Sequence, residues 1–163
     1  MTPKEFVKAF INDAKECERT TGISYIATLA QAALETGWAK AVPGNMFFGI
    51  KAKSTDIEKQ LITTREVLKT PNAKFPEIIS VIKNPNGTYT YKVKDWFRKY
   101  KTPADSFKDH SKFFFENPRY AKALAVRGDY NKWFEELQKS GYATDPKYSD
   151  TLKAVAKTII ENL

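Results

Sequence analysis

The feature that most constrains this chain is a segment near its N-terminus that is apolar on almost every side. The apolar residues of this segment are Ile23, Tyr25, Ile26, Ala27, Leu29, Ala30, Ala32, Ala33 and Leu34. A helix without a polar, solvent-exposed face is expected to be buried in the middle of a domain. Thr28, Gln31 and Glu35 fall at i, i+3 and i+7, so they form one narrow polar stripe along this helix. The pattern therefore predicts a central helix over about 24–36 that ends in a carboxylate.

The middle of the chain has a different character. Segments 60–68, 75–83 and 88–94 are rich in β-branched residues, and the Asn-Pro-Asn-Gly sequence at 84–87 is typical of a hairpin turn. Amphipathic helices with capping residues precede and follow this region. Since no boundary is rich in Pro, Gly or Ser, we predict one α+β domain over 1–163. Its helical lobe is interrupted by a small antiparallel β hairpin lobe at about 60–95, and a cleft between the lobes is the expected ligand site.

The charge of the chain suggests an anionic partner. A net charge of +8 fits nucleic acid, an acidic membrane surface or an acidic wall polymer. The basic residues are scattered in runs no longer than two, however, so a soluble basic surface is at least as good an interpretation as a dedicated patch. We therefore expect no nucleic-acid partner. No apolar stretch reaches transmembrane length and no signal peptide is visible, so we expect no membrane insertion.

Cysteine and histidine usage argues against a metal site. Cys17 and His110 are the only residues of their types, and together they do not make a closed zinc site. We therefore expect no metal and no cofactor. His110 is expected at the surface of a helix, without a neighbouring Ser or Cys that would form a catalytic triad. A monomer is the simplest expectation for the oligomeric state.

Glu35 is the first candidate for chemistry. The C-terminal end of a helix is the negative end of its dipole, which disfavours a carboxylate and raises its pKa. Trp38, three residues further on, is expected to add an apolar wall. A glutamic acid kept protonated near neutral pH is suited to donate a proton to a leaving oxygen. The alternative is an ordinary glutamate at a helix end that reaches into water.

Glycoside hydrolysis usually needs a second carboxylate. The extended region offers Glu66, with Glu77 and Asp95 as rivals, although each of them taken alone is better interpreted as a solvated strand residue. Several aromatic side chains are candidates for stacking on sugar rings, although each one alone is more often part of a core. These aromatic residues are Trp38, Phe47, Phe48, Tyr120 and Tyr142.

Five blocks of sequence together resemble glycoside hydrolase family 73, the bacterial peptidoglycan N-acetylglucosaminidases. The blocks are QAALETGWAK at 31–40, NMFFGIK at 45–51, FRKYKTPADSFKDH at 97–110, NPRY at 117–120 and GYATDPKY at 141–148. The resemblance spans nearly the whole chain. It implies a lysozyme-like fold and hydrolysis of the β-1,4 bond after N-acetylglucosamine in peptidoglycan, at the bacterial cell wall in the periplasm or outside the cell.

The resemblance also implies roles for individual residues. Glu35 matches the general acid of the family, and Tyr120 matches a tyrosine near the scissile bond. Glu66 is the candidate base, although the family often has Thr-Glu-Tyr where this chain has Thr-Arg-Glu-Val. The inserted Arg65 reverses the side-chain alternation of a strand unless a bulge absorbs it. The expected substrate contacts are Gln31, Trp38, Asn45, Phe48 and Tyr142.

Two mechanisms remain open at this stage. An inverting enzyme needs its two carboxyl groups about 6.5 to 9.5 Å apart, with water activated by the second acid. The alternative is assistance by the N-acetyl group of the substrate, which needs no second protein acid. Other functions also remain open: a muramidase or lytic transglycosylase of the same fold, or a non-catalytic wall-binding module.

Overall fold

The computed structural model describes residues 1–163, which divide into two compact units. We call residues 1–48 with 100–163 the helical unit, and residues 49–99 the β unit. The β unit is therefore somewhat larger than the predicted lobe at about 60–95, whereas the prediction of a single domain stays a prediction. The helices are α1 (Pro3–Thr21), α2 (Tyr25–Thr36), α3 (Pro103–Glu116), α4 (Ala121–Ala125), α5 (Tyr130–Lys139) and α6 (Tyr148–Glu161).

Local sequence signals explain where the first two helices begin and end. Thr2 and Glu5 form a capping box at the start of α1, with proline in the first turn. Ser24 caps α2 by accepting a hydrogen bond from the backbone of Ala27. Gly37 then ends α2 in the left-handed conformation at φ 58°, which glycine adopts without steric cost. The predicted central helix is confirmed.

The core of the helical unit is built around α2. Its residues Ala27 and Ala30 are fully buried against large side chains of the C-terminal helices. The small alanine side chains allow these helices to approach α2 closely, so the unit buries an unusually apolar helix, as its sequence predicts. The principal partners in this core are Phe114, Trp133, Phe134, Leu137, Leu152 and Ala156.

The β unit contains one antiparallel sheet. Its strands are β1 (Lys59–Leu68), β2 (Glu77–Lys83) and β3 (Tyr89–Arg98), in the spatial order β1-β3-β2. The three predicted strands are confirmed, and β3 extends four residues beyond its predicted end. Gly87, at φ 85°, completes the turn between β2 and β3. No helix of the chain combines the length and the hydropathy that crossing a membrane needs.

Candidate active site

Glu35 lies in the last turn of α2, at the surface of the helical unit. Its carboxyl accepts no hydrogen bond from the protein. Neighbouring protein atoms nevertheless remove much of the water around this carboxyl, and this desolvation raises the pKa of Glu35 above its ordinary value. The predicted direction of the shift is confirmed, with desolvation as its cause. The surroundings of Glu35 therefore make its carboxyl harder to ionise than a carboxyl in water.

Tyrosines from later in the chain lie near Glu35. Burial is the main cause of the raised pKa values of Tyr142 and Tyr148, and a negative charge on Glu35 raises them further. Both side chains therefore lie within the electrostatic reach of Glu35. Tyr142 also packs against Tyr120, with ring centroids 6.0 Å apart. The hydroxyls of Tyr120 and Tyr142 make no hydrogen bond within the protein, and both oxygen atoms are in contact with solvent. Of these two hydroxyl groups, that of Tyr142 lies within the electrostatic reach of Glu35, and Tyr120 packs beside it.

Gln31 does not take the role that its position suggested. It is fully buried and therefore cannot touch a substrate. Its amide oxygen accepts a hydrogen bond from Nε1 of Trp133 at 3.0 Å, and its amide nitrogen donates to the hydroxyl of Tyr148 at 3.4 Å. The prediction of Gln31 as a substrate contact is wrong, because the polar stripe of α2 is turned into the core at this point. Gln31 instead holds Tyr148, a residue that the sequence reasoning missed, beside Glu35.

Replacing Gln31 by Met is expected to destabilise the protein. The change keeps the volume but leaves the buried indole N–H and the Tyr148 hydroxyl without partners, and each unsatisfied group costs about 1–3 kcal/mol. Denaturant unfolding measures the loss. Tyr148→Phe is the control, since it removes one hydroxyl and leaves the Trp133 bond intact, so its cost should be clearly smaller. Equal stability of Gln31→Met and the wild type would show that this network contributes nothing.

Phe48 is a second substrate prediction that the structure overturns. Its ring is buried and stacks on His110, with centroids 3.7 Å apart. His110 is itself fully buried, contrary to the expected surface position, and its two ring nitrogens have no partner. Burial lowers the pKa of His110 to about 3. Both residues therefore belong to an aromatic core formed by the loop at 45–48 and helix α3.

Trp38 and Asn45 remain accessible, but each has a structural contact. Trp38 packs edge-on against Phe6 of α1 at 5.5 Å, so the side chain is half-buried against the core. Asn45 adopts a left-handed backbone conformation and donates from its side chain to the carbonyl of Tyr100 at 3.0 Å. Their predicted contacts with substrate stay predictions.

In the β unit, Glu66 lies on β1 opposite Tyr91 of β3. Its carboxylate forms an ion pair with Lys51, and the same ammonium reaches Asp95 at 3.1 Å. Lys51 thus bridges two carboxylates that lie on the same face of the sheet. The third candidate, Glu77, pairs with Lys94 and lies on the opposite face of the sheet. Lys51 is a further residue that the sequence reasoning missed, because its partners are distant in the chain.

The inserted Arg65 is accommodated without a bulge in its own strand. The pairing of β1 with β3 runs without a shift from Lys59 opposite Arg98 to Leu68 opposite Tyr89. Arg65 and Glu66 therefore point to opposite faces. The irregularity of the sheet lies instead in β2, between Ile78 and Ser80. No group of three or more His, Cys, Asp or Glu side chains comes together to hold a metal ion.

Comparison with known proteins gives a consistent picture. The family model described as mannosyl-glycoprotein endo-beta-N-acetylglucosaminidase matches residues 11–161. The peptidoglycan hydrolase FlgJ of Vibrio parahaemolyticus is 33% identical over 97% of this chain and 48% of its own length. The exo-glucosaminidase LytG of Bacillus subtilis is 31% identical over 80% of this chain and 42% of its own. The chain thus spans about half the length of the curated relatives it matches.

Solved structures agree with the fold. A C-terminally truncated glycoside hydrolase domain of Salmonella typhimurium FlgJ superposes with a TM-score of 0.72 at 28% identity, over 98% of both chains. A peptidoglycan hydrolase mutant from Sphingomonas sp. A1 gives a TM-score of 0.71 at 29% identity, over 97% of this chain and 99% of the other. The predicted lysozyme-like α+β fold is confirmed.

Proposed function

The chain belongs to the endo-β-N-acetylglucosaminidase family of glycoside hydrolases, family 73, and from that membership we propose that it cleaves peptidoglycan. The bond is the β-1,4 linkage on the reducing side of N-acetylglucosamine, and the place of action is the bacterial cell wall. The observation that carries this proposal is Glu35, a desolvated carboxyl with a raised pKa that accepts no hydrogen bond and has tyrosines beside it.

The proposed mechanism starts with the proton on Glu35. Because its pKa is raised, a larger fraction of the carboxyl is protonated near neutral pH, and it donates that proton to the glycosidic oxygen as the bond breaks. The proposed role of the Tyr120 and Tyr142 hydroxyls is to hydrogen-bond the sugars next to that oxygen. Trp38 and Asn45 are the remaining proposed substrate contacts.

Glu66 is the proposed base that activates the attacking water. Its ion pair with Lys51, whose ammonium also reaches Asp95, holds the carboxylate in position. Glu66→Gln is therefore expected to lower kcat on peptidoglycan about tenfold or more. Asp95→Asn tests the rival carboxylate that shares Lys51, and it is expected to lower kcat much less than Glu66→Gln does. Full activity of Glu66→Gln would transfer the role to the N-acetyl group of the substrate.

Mass spectrometry of digested, purified peptidoglycan tests which bond is cut. The proposal expects new reducing ends that carry N-acetylglucosamine. Reducing ends of N-acetylmuramic acid, or its 1,6-anhydro form, would identify a muramidase or a lytic transglycosylase of the same fold.

A further inference from the structure

The sheet of the β unit separates its charges between two faces. Directly opposed residues of antiparallel strands share a face, so Glu66 and Asp95 lie on the same side as Tyr91. The other side, which we call the basic face, carries five Lys or Arg residues and one Glu. From β1, β3 and β2 in turn it consists of Lys59, Leu61, Thr63, Arg65, Val67, Thr90, Lys92, Lys94, Trp96, Arg98, Glu77, Ser80 and Ile82.

The β unit also holds most of the charge of the chain. Residues 49–99 contain eleven Lys or Arg and five Asp or Glu, a net charge of +6 out of +8 for all 163 residues. The remaining 112 residues are therefore nearly neutral at +2. Five of these eleven cations lie on the basic face, where alternate residues of each strand meet only after folding.

Two cations at the centre of the basic face are opposed without compensation. Arg65 on β1 lies directly opposite Lys92 on β3, and neither side chain has an ion pair. Like charges directly opposite each other destabilise a sheet. By contrast, Lys94 is paired with Glu77 and Arg98 with Asp56. An anion lying across Arg65 and Lys92 would relieve this repulsion.

We propose that the basic face binds a linear polyol-phosphate polymer of the cell wall. Directly opposed residues of two strands have Cβ atoms about 5 Å apart, so Arg65 and Lys92 present two adjacent unpaired charges to a chain of regularly spaced phosphates. Leu61, Val67 and Ile82 are exposed on the same face and offer apolar contacts to the carbon backbone of such a polymer. The proposal rests on the proposed function for one point only, that the protein works where wall polymers occur.

The composition of the basic face favours this ligand over other polyanions. Single-stranded nucleic acid is held by several aromatic side chains on which successive bases stack. The basic face has one, Trp96, and the ammonium of Lys59 already lies 5.2 Å from its ring centre. A bilayer surface is bound by an apolar side separated from a charged side. Here the cations lie among the apolar residues, so the two are not separated.

The test measures binding of soluble poly(glycerol phosphate) to the full chain by calorimetry at low and moderate salt. Arg65→Gln/Lys92→Gln is expected to weaken binding about tenfold at 50 mM salt and to reduce the slope of log K against log salt by about 1.4, since each phosphate contact on a single strand contributes about 0.7. The matched control is Lys8→Gln/Lys157→Gln, which removes the same charge from exposed positions of the helical unit. It is expected to bind like the wild type.

Three results would overturn the proposal. These are absence of measurable binding to the wild type, an equal loss in the control pair, or equal affinity for an oligothymidylate or for anionic vesicles. Cleavage of glycan strands free of phosphate is measured in parallel. The double variant is expected to cut them at the wild-type rate, and this rate depends on the proposed hydrolase function alone. Failure of binding and failure of hydrolysis are thus separate outcomes.

Discussion

Glu35→Gln is expected to lower kcat on purified peptidoglycan about 10²- to 10⁴-fold, the usual contribution of a general acid. Glutamine keeps the size of the side chain but has no proton to donate at any working pH. Release of soluble fragments from peptidoglycan measures the loss. Glu161→Gln, a change of the same type at an exposed site in the last helix, is the control and should retain full activity.

The same variant is expected to be at least as stable as the wild type near neutral pH. The folded-state pKa of Glu35 is raised, so the folded protein binds this proton more tightly than the unfolded chain, and ionisation of Glu35 costs stability as pH rises through that pKa. Glutamine removes this cost. An inactive Glu35→Gln protein with a lowered Tm at pH 7 would instead indicate damage to the fold.

His110→Phe is expected to increase stability at acidic pH. The unfolded histidine takes up a proton near pH 6.5, whereas the buried ring does so only near pH 3. Between these values the unfolded state binds more protons, so the wild type has its full stability above pH 6.5 and loses it progressively as the pH falls toward 3. Phenylalanine keeps the stack on Phe48 and has no proton to bind.

The expected size follows from 1.36 kcal/mol per pH unit. At pH 4 the variant should gain about 3 kcal/mol relative to the wild type, over any difference already present at pH 8. Urea unfolding at both pH values measures this gain, and because His110 is the sole histidine no other imidazole contributes. A difference between the two proteins that is the same at pH 4 and pH 8 would show that His110 is not held neutral by burial.

The sequence predicted what depends on short-range signals. The apolar helix ending at Glu35, its glycine cap and the Asn-Pro-Asn-Gly turn follow from periodicity and backbone preference, and all are confirmed. The resemblance to family 73 is confirmed as well, since the family model covers residues 11–161. The sequence also predicts the direction of the Glu35 pKa shift, and its cause is desolvation, as an apolar wall would produce, rather than the helix dipole.

The errors concern side chains whose environment is set by distant parts of the chain. Gln31 sits on a polar stripe, but its partners Trp133 and Tyr148 follow about a hundred residues later, so their contact with it is invisible along the helix. The sequence wrongly predicts Phe48 and His110 at the surface, because the residues around each of them do not indicate which helix packs over it. Lys51 and Glu66 meet only once β1 has folded. Periodicity assigns a face, whereas tertiary packing decides whether that face meets solvent.

The central claim is that Glu35 supplies the proton for the leaving group, and its most direct test is the dependence of the Glu35→Gln defect on that group. Wild type and variant are compared on a β-1,4-linked N-acetylglucosamine oligosaccharide and on the same sugar carrying a dinitrophenyl leaving group. A dinitrophenolate departs without protonation. The account predicts a loss of about 10²- to 10⁴-fold on the oligosaccharide and a much smaller loss on the aryl glycoside. An equal loss on both substrates would contradict it.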